Sequence, residues 1–224
     1  LQLAFEQLSN AAIIGCDTET SGFSPASGRL FSVQFSDGEF NVLVPVSEGI
    51  ALGALADILA DPAITKIFHN AKFDLDFLNA NGYSVENVFD TMIAEKVLTR
   101  GANQSASLAE TLYRYFAVDL DKSQRKKFAS KWDGIWTDEL VHYALSDVFH
   151  LPRLMAEQMS WLKKLGLNGE FEGQLQIPHV RGVCEINNEG IQIEHDAWRS
   201  GLTMLSTSLA LRLDLCLGST FMIL

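Results

Sequence analysis

The sequence predicts an α/β domain built on a mixed sheet over residues 1–168, followed by a small helical extension over residues 169–224. Three observations carry this expectation. Short apolar or alternating runs open the chain, two of them separated by an Asp-Gly pair. Helical runs first alternate with these strands and then follow them. Three glycines in eight residues interrupt the chain at "GLNGEFEG", residues 166–173.

The elements follow in order. "AAIIGC" (11–16) is a short apolar run, "RLFSVQFS" (29–36) nearly alternates, and "EFNVLVPV" (39–46) is rich in β-branched residues, so all three read as strands. Asp37-Gly38 is a hairpin-turn signal, which makes the second and third strands antiparallel. "LGALADILAD" (52–61) reads as a helix closed by Pro62, and "ITKIF" (64–68) as another strand. Asn70 stands where a cap is expected for the helix "AKFDLDFLNAN", which Gly82 ends. "SLAETLYRYF" (107–116) and the stretch from Thr137 to about Leu165 are helical, with Pro152 expected to kink the latter. Beyond the glycine-rich break, a helix, a turn at Asn188-Glu189-Gly190, an extended "IQI" and a last helix make an appendage too small for a core of its own.

Composition is that of an ordinary globular protein. The formal charge of −11 argues against sequence-independent coating of nucleic acid, yet it leaves room for an enzyme that grips a few nucleotides. The stretch 121–131, "DKSQRKKFASK", runs the other way with five basic residues and one acid. It reads as a solvated helix face or as a phosphate contact beside a substrate groove. No apolar run is long enough to span a bilayer, and the amino terminus lacks the order of a signal peptide. A reducing, cytoplasmic setting is therefore expected, and Cys16, Cys184 and Cys216, odd in number and without metal-ligand spacing, read as buried free thiols. The chain opens on Leu1 and stops in "STFMIL", as either a stand-alone protein or a piece of a longer one.

Asp17 and Glu19 lie two apart at the end of the first strand, so their side chains share a side and can converge on one ion. Asp74 lies near the start of a helix, and Asp147 sits in the apolar helix "LVHYALSDVFHL", where an acid either faces solvent or has a partner such as a cation. Four carboxylates without Cys or His at ligand spacing favour Mg²⁺ or Mn²⁺ over zinc. Two aromatic residues, His142 and Tyr143, precede Asp147. Positions four apart on a helix differ by about 40° and positions five apart by about 140°, so Tyr143 shares a face with Asp147 and His142 does not. Thr137, followed by Asp138 and Glu139, is a good cap and already places His142 inside the helix.

Three stretches in order, "DTE" (17–19), "NAKFD" (70–74) and "YALSD" (143–147), resemble the motifs of the proofreading 3′–5′ exonuclease domain of family A DNA polymerases. "VFDTMIAEKVL" and "SLAETLYRYF" resemble its connecting segments, and the likeness covers nearly all of residues 10–165. The resemblance implies a ribonuclease H-like fold and a DEDD exonuclease of the tyrosine type. It implies that Asp17, Glu19 and Asp147 bind a first divalent cation, and that Asp17 and Asp74 hold a second, about 4 Å away. It also implies that Tyr143 hydrogen-bonds the attacking water, that Thr20 and Phe23 contact and wedge the terminal base, and that Asn70 contacts the strand. Phe23 also has an ordinary reading as a partly buried loop aromatic.

The expected reaction is hydrolysis of the terminal phosphodiester at a DNA 3′ end, releasing nucleoside 5′-monophosphates. Two alternatives stay open: an RNA substrate, as in ribonuclease D, since metal chemistry at phosphorus ignores the sugar, and a catalytically silent module that binds strand ends or a partner. Residues 169–224 resemble the segment leading into a polymerase thumb, which suggests a polymerase parent chain or partner. The apolar residues Leu205, Leu209, Leu211 and Leu215 of the last helix need a surface, on this domain or on a second copy, with a monomer favoured.

Overall fold

A computed structural model describes residues 1–46, 51–100, 102, 104–120, 127–128 and 132–174, all within one compact unit, Leu1–His179. Five strands form a single sheet: β1 (Ile13–Thr20), β2 (Leu30–Ser36), β3 (Asn41–Pro45), β4 (Thr65–Phe68) and β5 (Val88–Asp90). Their order is β3-β2-β1-β4-β5, antiparallel on the β3-β2-β1 side and parallel across β1-β4-β5. The Asp37-Gly38 turn forms as expected. Gly38 adopts φ 98°, and Asp37 Oδ1 accepts from the backbone N–H of Glu39 and Phe40.

Alternation along β1 divides the molecule. Ile14 and Cys16 enter a core shared with α1 (Gln2–Leu8), α2 (Leu55–Ala60) and α3 (Ala71–Ala80). Ile13 points to the other face, where Ile67 of β4 packs with α4 (Thr91–Thr99), α6 (Asp138–Phe149) and α7 (Leu151–Leu165). By the same period of two, Asp17 and Glu19 emerge on the α6 side and Thr18 on the α3 side. The helix α5 (Leu108–Phe116) is capped by Ser107 and packs through Leu112 near Leu154 of α7.

Two expectations require correction. The stretch from Thr137 to Leu165 is not one kinked helix: α6 ends at Phe149, and α7 starts at Leu151 with Pro152 in its first turn, where its missing N–H has no intrahelical bond to lose. Asn70 does occupy the position before α3, but in the left-handed region (φ 73°) and with no side-chain capping bond. The amides at that helix start are bonded instead by Asp90. The glycine-rich stretch 166–173 is itself largely helical, over residues 168–174, and its Phe171 is buried against Phe89 with ring centroids 4.7 Å apart. The remainder of the expected extension, including its leucines, and most of the basic stretch 121–131 lie outside the described residues.

Gly15 shows how tightly β1 meets the junction of α6 and α7. A Cβ there would stand 2.7 Å from the carbonyl oxygen of Val148 and 3.1 Å from Leu151 Cβ. Because the nearer obstacle is backbone, Gly15→Ala is expected to cost about 1–3 kcal/mol. In a domain of this size that lowers Tm by about 2–4 °C per kcal/mol, readable by thermal unfolding.

Candidate active site

The end of β1 carries the site. One oxygen each from Asp17, Glu19 and Asp147 lie within 4.8 Å of one another. Strand period two aligns the first two, and α6, packed on β1 and β2, supplies the third. Asp74 approaches from the opposite face. It lies in the first turn of α3, is 2% exposed, and its Oδ1 accepts a 2.6 Å hydrogen bond from Thr18 Oγ1.

Electrostatics ties the acids together. Burial pushes the Asp17 carboxyl well above its ordinary range, and the charges of Asp74, Asp147 and Glu19 raise it further, in that order. Asp74 is pushed up to about 7, chiefly by burial, against the lowering effect of the Thr18 bond. Such a cluster is unfavourable when ionised and alone, and a bound cation would reverse that local field. All-oxygen donors suit Mg²⁺ or Mn²⁺. Fit between residues and a divalent ion therefore rests on the convergence of Asp17, Glu19 and Asp147 and on the raised proton affinity of Asp17 and Asp74.

Both aromatic residues lie within α6. Thr137 caps this helix, its Oγ1 accepting from the Leu140 N–H at 3.4 Å, so His142 is inside the helix and is exposed. Tyr143 is buried, one turn before Asp147, with its ring 6.1 Å from that of Phe128. Thr20 Oγ1 donates to the Gly22 carbonyl within the following loop. Phe23, on that loop, is 89% exposed, which removes the partly buried reading. Asn70 is exposed at the start of α3.

Sequence reasoning missed a groove of about 870 Å³ beside this strand end, lined by Arg29, Phe31, Pro45, Trp132 and Trp136 among others. Phe31, Trp132 and Trp136 belong to the same aromatic cluster as Tyr143. The alternation of "RLFSVQFS" placed Phe31 in a strand, but its pairing with tryptophans a hundred residues away leaves no local signal in the sequence. Asp90 was also missed, within a stretch singled out only for its likeness to the family.

The 3′–5′ exonuclease family matches residues 1–160. Ribonuclease D of Bartonella henselae is 29% identical over 153 residues, covering 67% of this chain and 37% of that protein. DNA polymerase I of Aquifex aeolicus is 29% identical over 166 residues, covering 74% of this chain and 27% of that protein. The chain thus spans well under two thirds of these curated relatives. Among solved structures, Brucella melitensis NrnC superposes with a TM-score of 0.68 at 32% identity, covering 76% of this chain and 83% of that one. The sheet and its flanking helices are the ribonuclease H-like arrangement of these exonucleases. The chain belongs to the 3′–5′ exonuclease family whose domain DNA polymerase I and ribonuclease D share.

Proposed function

We propose that this chain is a two-metal 3′–5′ exonuclease that removes nucleoside 5′-monophosphates from single-stranded or frayed 3′ ends. The observation that carries this reading is the convergence of Asp17, Glu19 and Asp147 within 4.8 Å, with Asp74 as the leading charge on Asp17 from across the strand. Asp17, Glu19 and Asp147 would hold one divalent cation, and Asp17 with Asp74 the other. When bound, such a pair activates the attacking water and stabilises the leaving oxygen. Tyr143 orients that water by a hydrogen bond, in the turn of α6 before Asp147. Phe23 offers its exposed ring to the terminal base, and Thr20 and Asn70 flank the strand. The groove along Phe31, Trp132 and Trp136 gives preceding bases apolar faces, a kind of contact indifferent to sequence.

RNA is the sugar reading favoured here, because relatives named ribonuclease D and an NrnC structure bound to pGG stand among the similar proteins. DNA is the second reading, in the setting of a polymerase parent or partner, because DNA polymerase I of Aquifex aeolicus matches at the same identity as ribonuclease D. An NrnC structure with bound Mg²⁺ supports magnesium as the ion. No helix among the described residues is long and apolar enough to cross a membrane, and the buried free thiol of Cys16 suits a reducing cytoplasm.

Matched 5′-labelled DNA and RNA single strands, incubated with Mg²⁺ and with or without chelator, test both parts. The expected result is a ladder shortening from the 3′ end, faster on RNA and absent with chelator. No ladder on either strand would return the protein to the silent end-binding reading.

A further inference from the structure

Asp90 ends β5 and starts α4, and its carboxylate accepts four backbone N–H bonds from two helices. Oδ1 accepts from Met92 and Ile93, the second and third residues of its own helix, and from Asn70 at 3.1 Å; Oδ2 accepts from Ala71 at 2.8 Å. The cross-strand reach is set by the parallel ladder, in which Asp90 pairs with Phe68, two residues before Asn70. Both helices thereby point their positive ends at one anion. That arrangement accounts for an acid only 2% exposed: burial raises its proton affinity, and the four N–H donors oppose the rise.

The turn it holds is the one that aims Asp74. Asn70 is in the left-handed region and contributes no side-chain cap, so Asp90 supplies the side-chain bonds seen at the start of α3. Asp74 lies one turn further along the same helix. The neighbouring Thr91 adds a second tie: its Oγ1 donates to the Phe68 carbonyl, and its own carbonyl accepts from Gln158 of α7. Metal-binding carboxylates need placement to within about 0.5 Å, which a helix start fixed from both sides provides.

We propose that Asp90 is a positioning residue that clamps the start of α3 and so sets where Asp74 meets the metal. This rests on the reading of Asp74 as a ligand. Serine is also a favoured cap, so Asp90→Ser keeps the bonds to α4, while its shorter side chain cannot span to Asn70 and Ala71. Ser107→Ala, which removes the cap of α5, is the control for stability loss alone.

In metal-free protein, hydrogen exchange should accelerate at Asn70 and Ala71 in Asp90→Ser while Met92 and Ile93 stay protected. Mn²⁺ binding, followed by the electron-spin signal of free Mn²⁺, should weaken about tenfold, with none of that loss in Ser107→Ala. Asp90→Asn, which keeps Oδ1 and loses the Ala71 acceptor, should show a smaller loss in the same direction and serves if the serine variant does not fold. Unchanged Mn²⁺ affinity in the Asp90 variants, with weakened affinity in Asp74→Ala, would overturn the clamp. Unchanged affinity in Asp74→Ala would instead overturn the reading of Asp74 itself.

Discussion

Asp17→Ala should lower turnover by about 10³-fold or more at saturating Mg²⁺, because it withdraws a ligand shared by both proposed ions, each supplying several kcal/mol in the transition state. The same variant should be more stable than the parent when metal is chelated at pH 8. Burial and the charges of Asp74, Asp147 and Glu19 hold the Asp17 carboxyl above its ordinary range, so the folded protein keeps a proton that the unfolded chain has released. The stability contributed by that proton is fully present below the unfolded carboxylate range, near 4, and is lost as pH rises through the folded value. Asp74, held at about 7, loses its share over the window from about 4 to 7. The advantage of Asp17→Ala should therefore be largest at pH 8 and vanish below about pH 4. Thermal unfolding with chelator at the two pH values, beside the single-strand assay, reads both effects. Normal turnover in Asp17→Ala would remove the two-metal reading.

Tyr143→Phe should slow the chemical step about 10²-fold while Mn²⁺ binding stays at the parental level, since it deletes the hydrogen bond proposed to orient the attacking water. The phenyl ring keeps its packing beside Phe128. His142→Ala should change turnover by less than about threefold, as expected for an exposed side chain that does not share the helix face of Asp147. Single-turnover rates for the two variants decide the matter; a larger loss in His142→Ala would move the proposed water-orienting role from Tyr143 to His142.

The parts of this site that could be read in advance are those governed by local periods. Asp17 and Glu19 share a side because strands repeat every two residues, and Tyr143 lies with Asp147 because helices nearly repeat every four. Asp37-Gly38 marked its hairpin because few residues accept a positive φ. What escaped depends on partners distant in sequence. The amides of Asn70 and Ala71 are bonded by a side chain nineteen or twenty positions away, so a capping rule built on neighbours chose Asn70. Pro152 reads as a kink because local steric conflict is visible in sequence, whereas in the structure a new helix starts at Leu151 and takes Pro152 into its first turn. The tiny strand β5, three residues long, and the helix α1 had too little pattern to declare themselves. The sugar preference has no counterpart in the carboxylates at all.

The close approach of Gly15 to Val148 also has a kinetic side. Residues at the start of the first strand and near the end of the sixth helix must meet before the three-carboxylate cluster exists, so the site is a contact of high sequence separation. Such contacts require a long loop to close before they return any stabilisation, and they slow folding and come late in it. A ribosome that has delivered only the sheet and its first helices has therefore not yet brought Asp147 to Asp17 and Glu19.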